Sequence, residues 1–239
     1  MPTPDPNYLL QKAGIDLPLI GLYDTADPEG FKPLVGPSKG KWACIFMFYN
    51  NWLKGKSLHL TPDNNGCGGV GTYLFGLTVR SRKDYIDFLQ GDEGLKANPE
   101  AMGEWMDEKP PYMPANKNMI IGPLKEDHFE ELKTITFLIN PDQLSLLVTG
   151  AYYNQGPNEP ARVKVPFASG CGLMGPFFED LEKPQAIIGA TDIAMRKYLP
   201  PDIIAFTVTK PMYGELCALD EKSFLNKPFW KDVVKKRSR

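Results

Sequence analysis

Two copies of one short pattern, Gly-Cys-Gly-x-x-Gly, hold the residues of this sequence best suited to chemistry. The first runs from Gly66 to Gly71 around Cys67, the second from Gly170 to Gly175 around Cys171. Each follows a short β-prone run, a proline and three further residues, and each leads into an apolar segment with helical character. A cysteine so placed lies near a helix N-terminus, where unpaired N–H groups and the helix dipole favour the thiolate. Gly68, Gly69 and Gly172 add no side-chain bulk, so a ligand can approach sulfur and backbone N–H groups together. That chemistry belongs to a thiolate ligand, a nucleophile or a redox thiol. The plainer alternative is packing, because cysteine is often a small buried hydrophobe.

Cys44, within the apolar run Trp42–Leu53, is a third candidate sulfur around a metal or iron–sulfur cluster with one open position, or else a core residue. Cys217, in YGELCALD, reads as structural. The zinc pattern is thin: there is no C-x-x-C, and His59 and His128 are not spaced as paired ligands. With only these two histidines, no Ser/His/acid set declares itself. Both elements also satisfy G-x-G-x-x-G, yet PDNN and PFAS stand where a dinucleotide site wants a strand running into the first glycine. Asp84 and Asp87 lie near the position of a ribose ligand and equally suit a solvated helix face. Asp192 and Arg196, spaced i, i+4, read as a helix ion pair or as a site in which Arg196 offers its fork to an anionic group.

Short elements must position these residues. Leu17–Tyr23, Ser57–Thr61, Met119–Gly122, Thr134–Ile139, Arg162–Val165, Gln185–Ile188 and Ile203–Thr209 read as strands. Trp42–Leu53 reads as a buried helix, and Arg82–Gln90 as a helix that buries Tyr85, Phe88 and Leu89 and stops at Gly91. Asn140-Pro141-Asp142 opens another. Gly91–Asn118, with Pro99, Pro110, Pro111 and Pro114, reads as a linker or flap, although Asn98-Pro99 is a good helix start. The pattern predicts an α+β fold, one domain over 1–239, with short strands in a largely antiparallel or mixed sheet and packed helices.

An offset of 104 residues, the separation of the two central cysteines, lays Cys44–Leu77 over Val148–Leu181 with eight identities in 34 positions. Chance would give about two. Duplication predicts two divergent halves, roughly 17–122 and 134–215, whose Gly-Cys-Gly turns border one cleft. One detail conflicts: Leu58 and Leu60 fall opposite Arg162 and Lys164, which reverses the buried strand face.

Composition narrows the class. The chain has 239 residues with 27 basic and 29 acidic side chains, a net charge of −2, so no global attraction to nucleic acid or anionic membrane is expected. No run approaches the roughly 18 apolar residues of a membrane span. Four cysteines are too few for a disulfide scaffold, and the first residues lack a secretory pattern, so a cytoplasmic setting is expected. The basic C-terminal VVKKRSR reads as a solvated terminus. The expected partner is a small molecule or cofactor, with self-association left open.

In order and motif the chain resembles the domain of unknown function 169 family over most of its length. The resemblance is carried by PLIGLY, Cys44 and the segment after it, NGCGGVGTYLFGL, FLINPDQLSLLVTGAYY, the Cys171 segment, GATDIAMRKYLPPD and IIAFTVTKP. It implies importance for Cys44, Cys67-Gly68-Gly69, Cys171, Asp192 and Arg196, and it implies no activity. After Cys44 the sequence IFMFYNN departs from the small-residue run of the family pattern. The leading expectation is a site in which Cys67 and Cys171 supply sulfur to a metal, an iron–sulfur cluster or a small redox cofactor. Cys44 is the third candidate donor, and Arg196 holds an anionic group. The alternatives are a non-catalytic small-molecule binding module and a nucleotide-using enzyme.

Overall fold

The apolar runs of the sequence become the strands of one eight-stranded sheet in the computed structural model, which describes residues 5–76, 80–108, 112, 114–116, 118–167 and 180–237. The strands are β1 (Ile20–Asp24), β2 (Leu34–Val35), β3 (Ser57–Leu60), β4 (Met119–Pro123), β5 (Leu132–Ile139), β6 (Val163–Lys164), β7 (Ala186–Gly189) and β8 (Ile204–Thr209). Their order is β2-β3-β4-β1-β5-β8-β7-β6. The pairs β2–β3 and β6–β7 are parallel, and the other five are antiparallel. The edge strands have two residues each, which limits the unpaired backbone they present. The fold is α+β.

Both faces of the sheet are covered, so β1, β4 and β5 are buried almost throughout. On one face Tyr23, Ile135, Phe137, Phe206 and Val208 pack against α1 (Pro6–Ala13), α6 (Pro141–Ala151), α7 (Lys210–Cys217) and α8 (Pro228–Arg237). Local chemistry sets the helix starts. Asn140 Oδ1 accepts from the Gln143 N–H at 2.9 Å, while Gln143 Oε1 accepts from the Asn140 N–H at 3.0 Å. On the opposite face Leu22, Leu58, Leu60, Ile121 and Leu138 meet Phe46, Trp52, Phe75, Met195 and Leu199. Those covering residues come from a 3-10 turn (Ile45–Phe48), α2 (Tyr49–Trp52), α3 (Val70–Phe75) and the β7–β8 connection. No helix among the described residues is long and apolar enough to cross a membrane.

Two segments differ from the sequence expectation. Trp42–Leu53 is not one buried helix: Trp42 is 58% exposed, and only Ile45–Trp52 is helical, half of it 3-10. Aromatic residues are mediocre helix formers, and here tertiary packing decides. Gly91–Asn118 is not simply a linker or flap either, because it contains α5 (Pro99–Glu108), begun by Asn98 Oδ1 accepting from the Ala101 N–H at 2.8 Å. Met102, Trp105 and Met106, spaced as one helical face, are buried with Tyr85, Leu89 and Ile187 in a small third cluster. The helix α4 (Arg82–Ile86) passes into a π-helical turn, Asp87–Asp92, that runs through Gly91 and is followed by Gly94 at φ +63°.

Read inward from either edge, the two half-sheets show one succession: a parallel pair, then two antiparallel pairings that end at β1 and β5. β3 and β7 therefore hold equivalent places, as do β4 and β8. The 104-residue offset instead lays β3 over β6, which is why its buried faces disagree at Leu58 and Leu60.

Candidate functional site

Cys44 lies on the β2–β3 connection and Cys67 on the β3–β4 connection, and Gly66 brings the two chain segments together. The Ala43 N–H donates to the Gly66 carbonyl at 3.3 Å. A Cβ on Gly66 would stand 1.9 Å from the Lys41 carbonyl oxygen, so only glycine fits this crossing. One residue beyond it on each segment, Cys44 and Cys67 line the same cleft, which encloses about 490 Å³ with its open mouth included. Both carry thiols rather than a disulfide.

The Cys67 turn is tightly specified. Gly69 N–H donates to Cys67 Sγ at 3.4 Å, the Thr72 hydroxyl donates to the Cys67 carbonyl, and Arg80 Nη1 donates to the Gly68 carbonyl at 2.7 Å. The helix expected after the turn is α3, but it has six residues and begins at Val70. So short a helix adds little dipole, and the N–H that reaches the sulfur belongs to the preceding turn.

Two further elements wall the cleft. From one side come Phe88, on the π-helical turn, and Glu93, just beyond it. From the other, the β7–β8 connection supplies Asp192, Met195 and Tyr198. Trp42 stands at the mouth with its ring 6.3 Å from that of Tyr198. No lysine, arginine or histidine is among the described residues lining the cleft. Burial raises the Glu93 carboxyl above its ordinary pKa, and the neighbouring Asp192, Cys67 and Asp92 push it further. Tyr85, behind the Cys67 turn, rises to about 12 chiefly by burial, with Arg80 opposing and Cys67 and Tyr73 adding. Acidic groups thus face one another across this space. Among the described residues, no three His, Cys, Asp or Glu side chains are gathered as a metal cage.

The DUF169 family model, described as uncharacterised ArCR, matches residues 16–218. The chain belongs to this family. No curated protein and no solved structure matches it.

Of the residues singled out by sequence in this DUF169 chain, Cys44, Cys67, Gly69 and Asp192 line the cleft, and Gly68 sits on the Cys67 turn. Arg196 is placed differently. Its guanidinium donates to the carbonyls of Ala190, Ile203, Pro200 and Pro201, at 3.3, 2.6, 3.3 and 3.0 Å, and so ties the loop that presents Asp192. Asp192 itself accepts from the Ala194 N–H at 2.9 Å, within a turn rather than a helix. Cys171 and Gly172 lie outside the described residues. Trp42, Phe88, Glu93, Ala194, Met195 and Tyr198 are the described lining residues that sequence reasoning missed. Phe88 carries a signal, its place on an apolar helical face, but that signal is shared by any core residue. Glu93 and Tyr198 carried none, because a lone acid and a lone tyrosine look like ordinary surface.

Proposed function

We propose that the cleft is a thiolate-centred site for a thiophilic metal ion, an iron–sulfur cluster or a small redox cofactor, with Cys44 and Cys67 as its described sulfur donors. One observation carries the reading: the Gly66 crossing delivers two thiols from separate connections to a cleft that, among the described residues, also holds Glu93 and Asp192 and no basic side chain. Acidic groups that repel one another are relieved by a bound cation, and sulfur ligands select soft metals. A bound metal or cluster would supply Lewis-acid or electron-transfer chemistry. The chain's own part is to deliver the two thiols at the Gly66 crossing, to present Glu93 from one wall and Asp192 from the other, and to let Arg196 fix the Asp192 loop.

The test is anaerobic purification followed by metal analysis, labile-sulfide assay and a visible spectrum, with wild type set beside Cys44→Ser and Cys67→Ser. The reading expects a metal or chromophore in wild type and its loss in both variants. A wild-type chain that binds none after reconstitution with iron and sulfide, zinc or copper(I) would sink it. The Trp42–Tyr198 pair at the mouth favours a second reading, a non-catalytic module that stacks a small organic cation between aromatic and acidic groups. Under that reading Cys→Ala variants keep ligand binding and Trp42→Ala loses it.

A further inference from the structure

We propose that Arg80 is a positioning residue for the Cys67 thiol, acting through the peptide that joins Gly68 to Gly69. The inference rests on the reading of the cleft as a thiolate site. A trans peptide points its C=O and its N–H in opposite directions, so fixing one aims the other. Arg80 Nη1 holds the Gly68 oxygen at 2.7 Å, and the N–H of the same peptide meets Cys67 Sγ at 3.4 Å. The guanidinium is itself seated over two rings, 6.0 Å from the centroid of Tyr85 and 5.8 Å from that of Phe88. A cation on the carbonyl side also polarises the peptide and strengthens its N–H as a donor to charged sulfur. Among the described residues, the other titratable groups around Cys67 are Glu93 beyond the π-helical turn, Tyr85 on α4, Asp192 on the β7–β8 connection, and Cys44. A carboxylate at Glu93 or Asp192 opposes a thiolate, and Arg80 is the counterweight that the fold places on the Cys67 turn.

The experiment follows iodoacetamide alkylation of Cys67, resolved by peptide mass spectrometry, across pH in the chelator-treated full-length chain. Wild type is compared with Arg80→Gln and Arg80→Lys, each checked for folding by circular dichroism. In Arg80→Gln the titration midpoint moves up, alkylation at pH 7 slows about 5-fold, and the rates converge with wild type near pH 10.5, where every thiol is ionised. Arg80→Lys, which keeps charge without the fork, falls between the two. A structural role alone would slow alkylation equally at every pH. That result, or one midpoint shared by all three proteins, overturns the proposal. Metal uptake with no midpoint shift rejects the Arg80 role alone. A midpoint shift in a chain that takes up no metal leaves Arg80 standing and removes the metal reading.

Discussion

The connections leaving β3 and β7 hold equivalent places in the two half-sheets and meet in one cleft, yet opposite means hold them in shape. The β3–β4 connection, residues 61–118, carries α3, α4 and α5 and builds an apolar cluster of its own from Tyr85, Leu89, Met102, Trp105 and Met106. The β7–β8 connection, residues 190–203, has no α-helix and is gathered around Arg196, whose fork takes four carbonyls. A hydrophobic cluster is non-directional and needs length, but it can carry extra groups such as Phe88 and Glu93. A guanidinium hub needs few residues and fixes direction, which suits a loop that must aim Asp192 and Tyr198. The site is thus an interface between a packed wall and a hydrogen-bonded wall.

The largest effect should come from the packed wall. Trp105 is 6% exposed, with its ring 5.6 Å from Phe167 and 6.0 Å from Tyr73. Trp105→Ala should cost about 3–5 kcal/mol within this unit. In hydrogen exchange the amides of 82–108 should lose protection while β1 and β5 keep theirs. Simultaneous loss across the sheet would show that the cluster is not a separate unit, and the contrast between the walls would fail. The hydrogen-bonded wall should respond less. Arg196→Lys retains the charge but cannot span four carbonyls, and about 2 kcal/mol should disappear from urea unfolding. Wild-type stability in that variant would remove Arg196 as the hub.

The two walls also differ in how far the sequence announced them. Strand positions were readable because β-branched and apolar runs ended at turns, and Asn140-Pro141 and Asn98-Pro99 named their helix starts. The cysteine turn was readable from its glycines, and Gly66 has the steric role that such a residue implies. α5 was legible in the spacing of Met102, Trp105 and Met106, but the surrounding prolines drew that stretch toward a linker. The ion-pair reading of Asp192 and Arg196 rests on i, i+4 spacing in a helix, and the anion-site reading on a free guanidinium fork, whereas the chain there folds as a turn gathered around that fork. Backbone carbonyls leave no trace in side-chain patterns, so a hub made of them is invisible in sequence. The equivalence of β3 with β7 was hidden in the same way, since it is a property of strand order and not of residue identity.

The smallest prediction asks whether the short wall stores strain. Ala190, where β7 gives way to the loop, has φ +58° and is 1% exposed, and Arg196 holds its carbonyl. A left-handed alanine costs about 1–2 kcal/mol, which glycine would relieve. The same change forfeits a buried methyl, worth about 0.8 kcal/mol, and loosens the unfolded chain. These terms nearly cancel, so Ala190→Gly alone should lie within about 0.5 kcal/mol of wild type. The informative comparison is Ala205→Gly, on β8 in the same apolar cluster and also 1% exposed, where no strain is relieved. It should cost about 1.5 kcal/mol. The gap between the two substitutions in urea unfolding measures the strain at Ala190. Equal costs would mean that Arg196 gathers an already relaxed loop; unequal costs mean that it holds the turn against its own backbone preference.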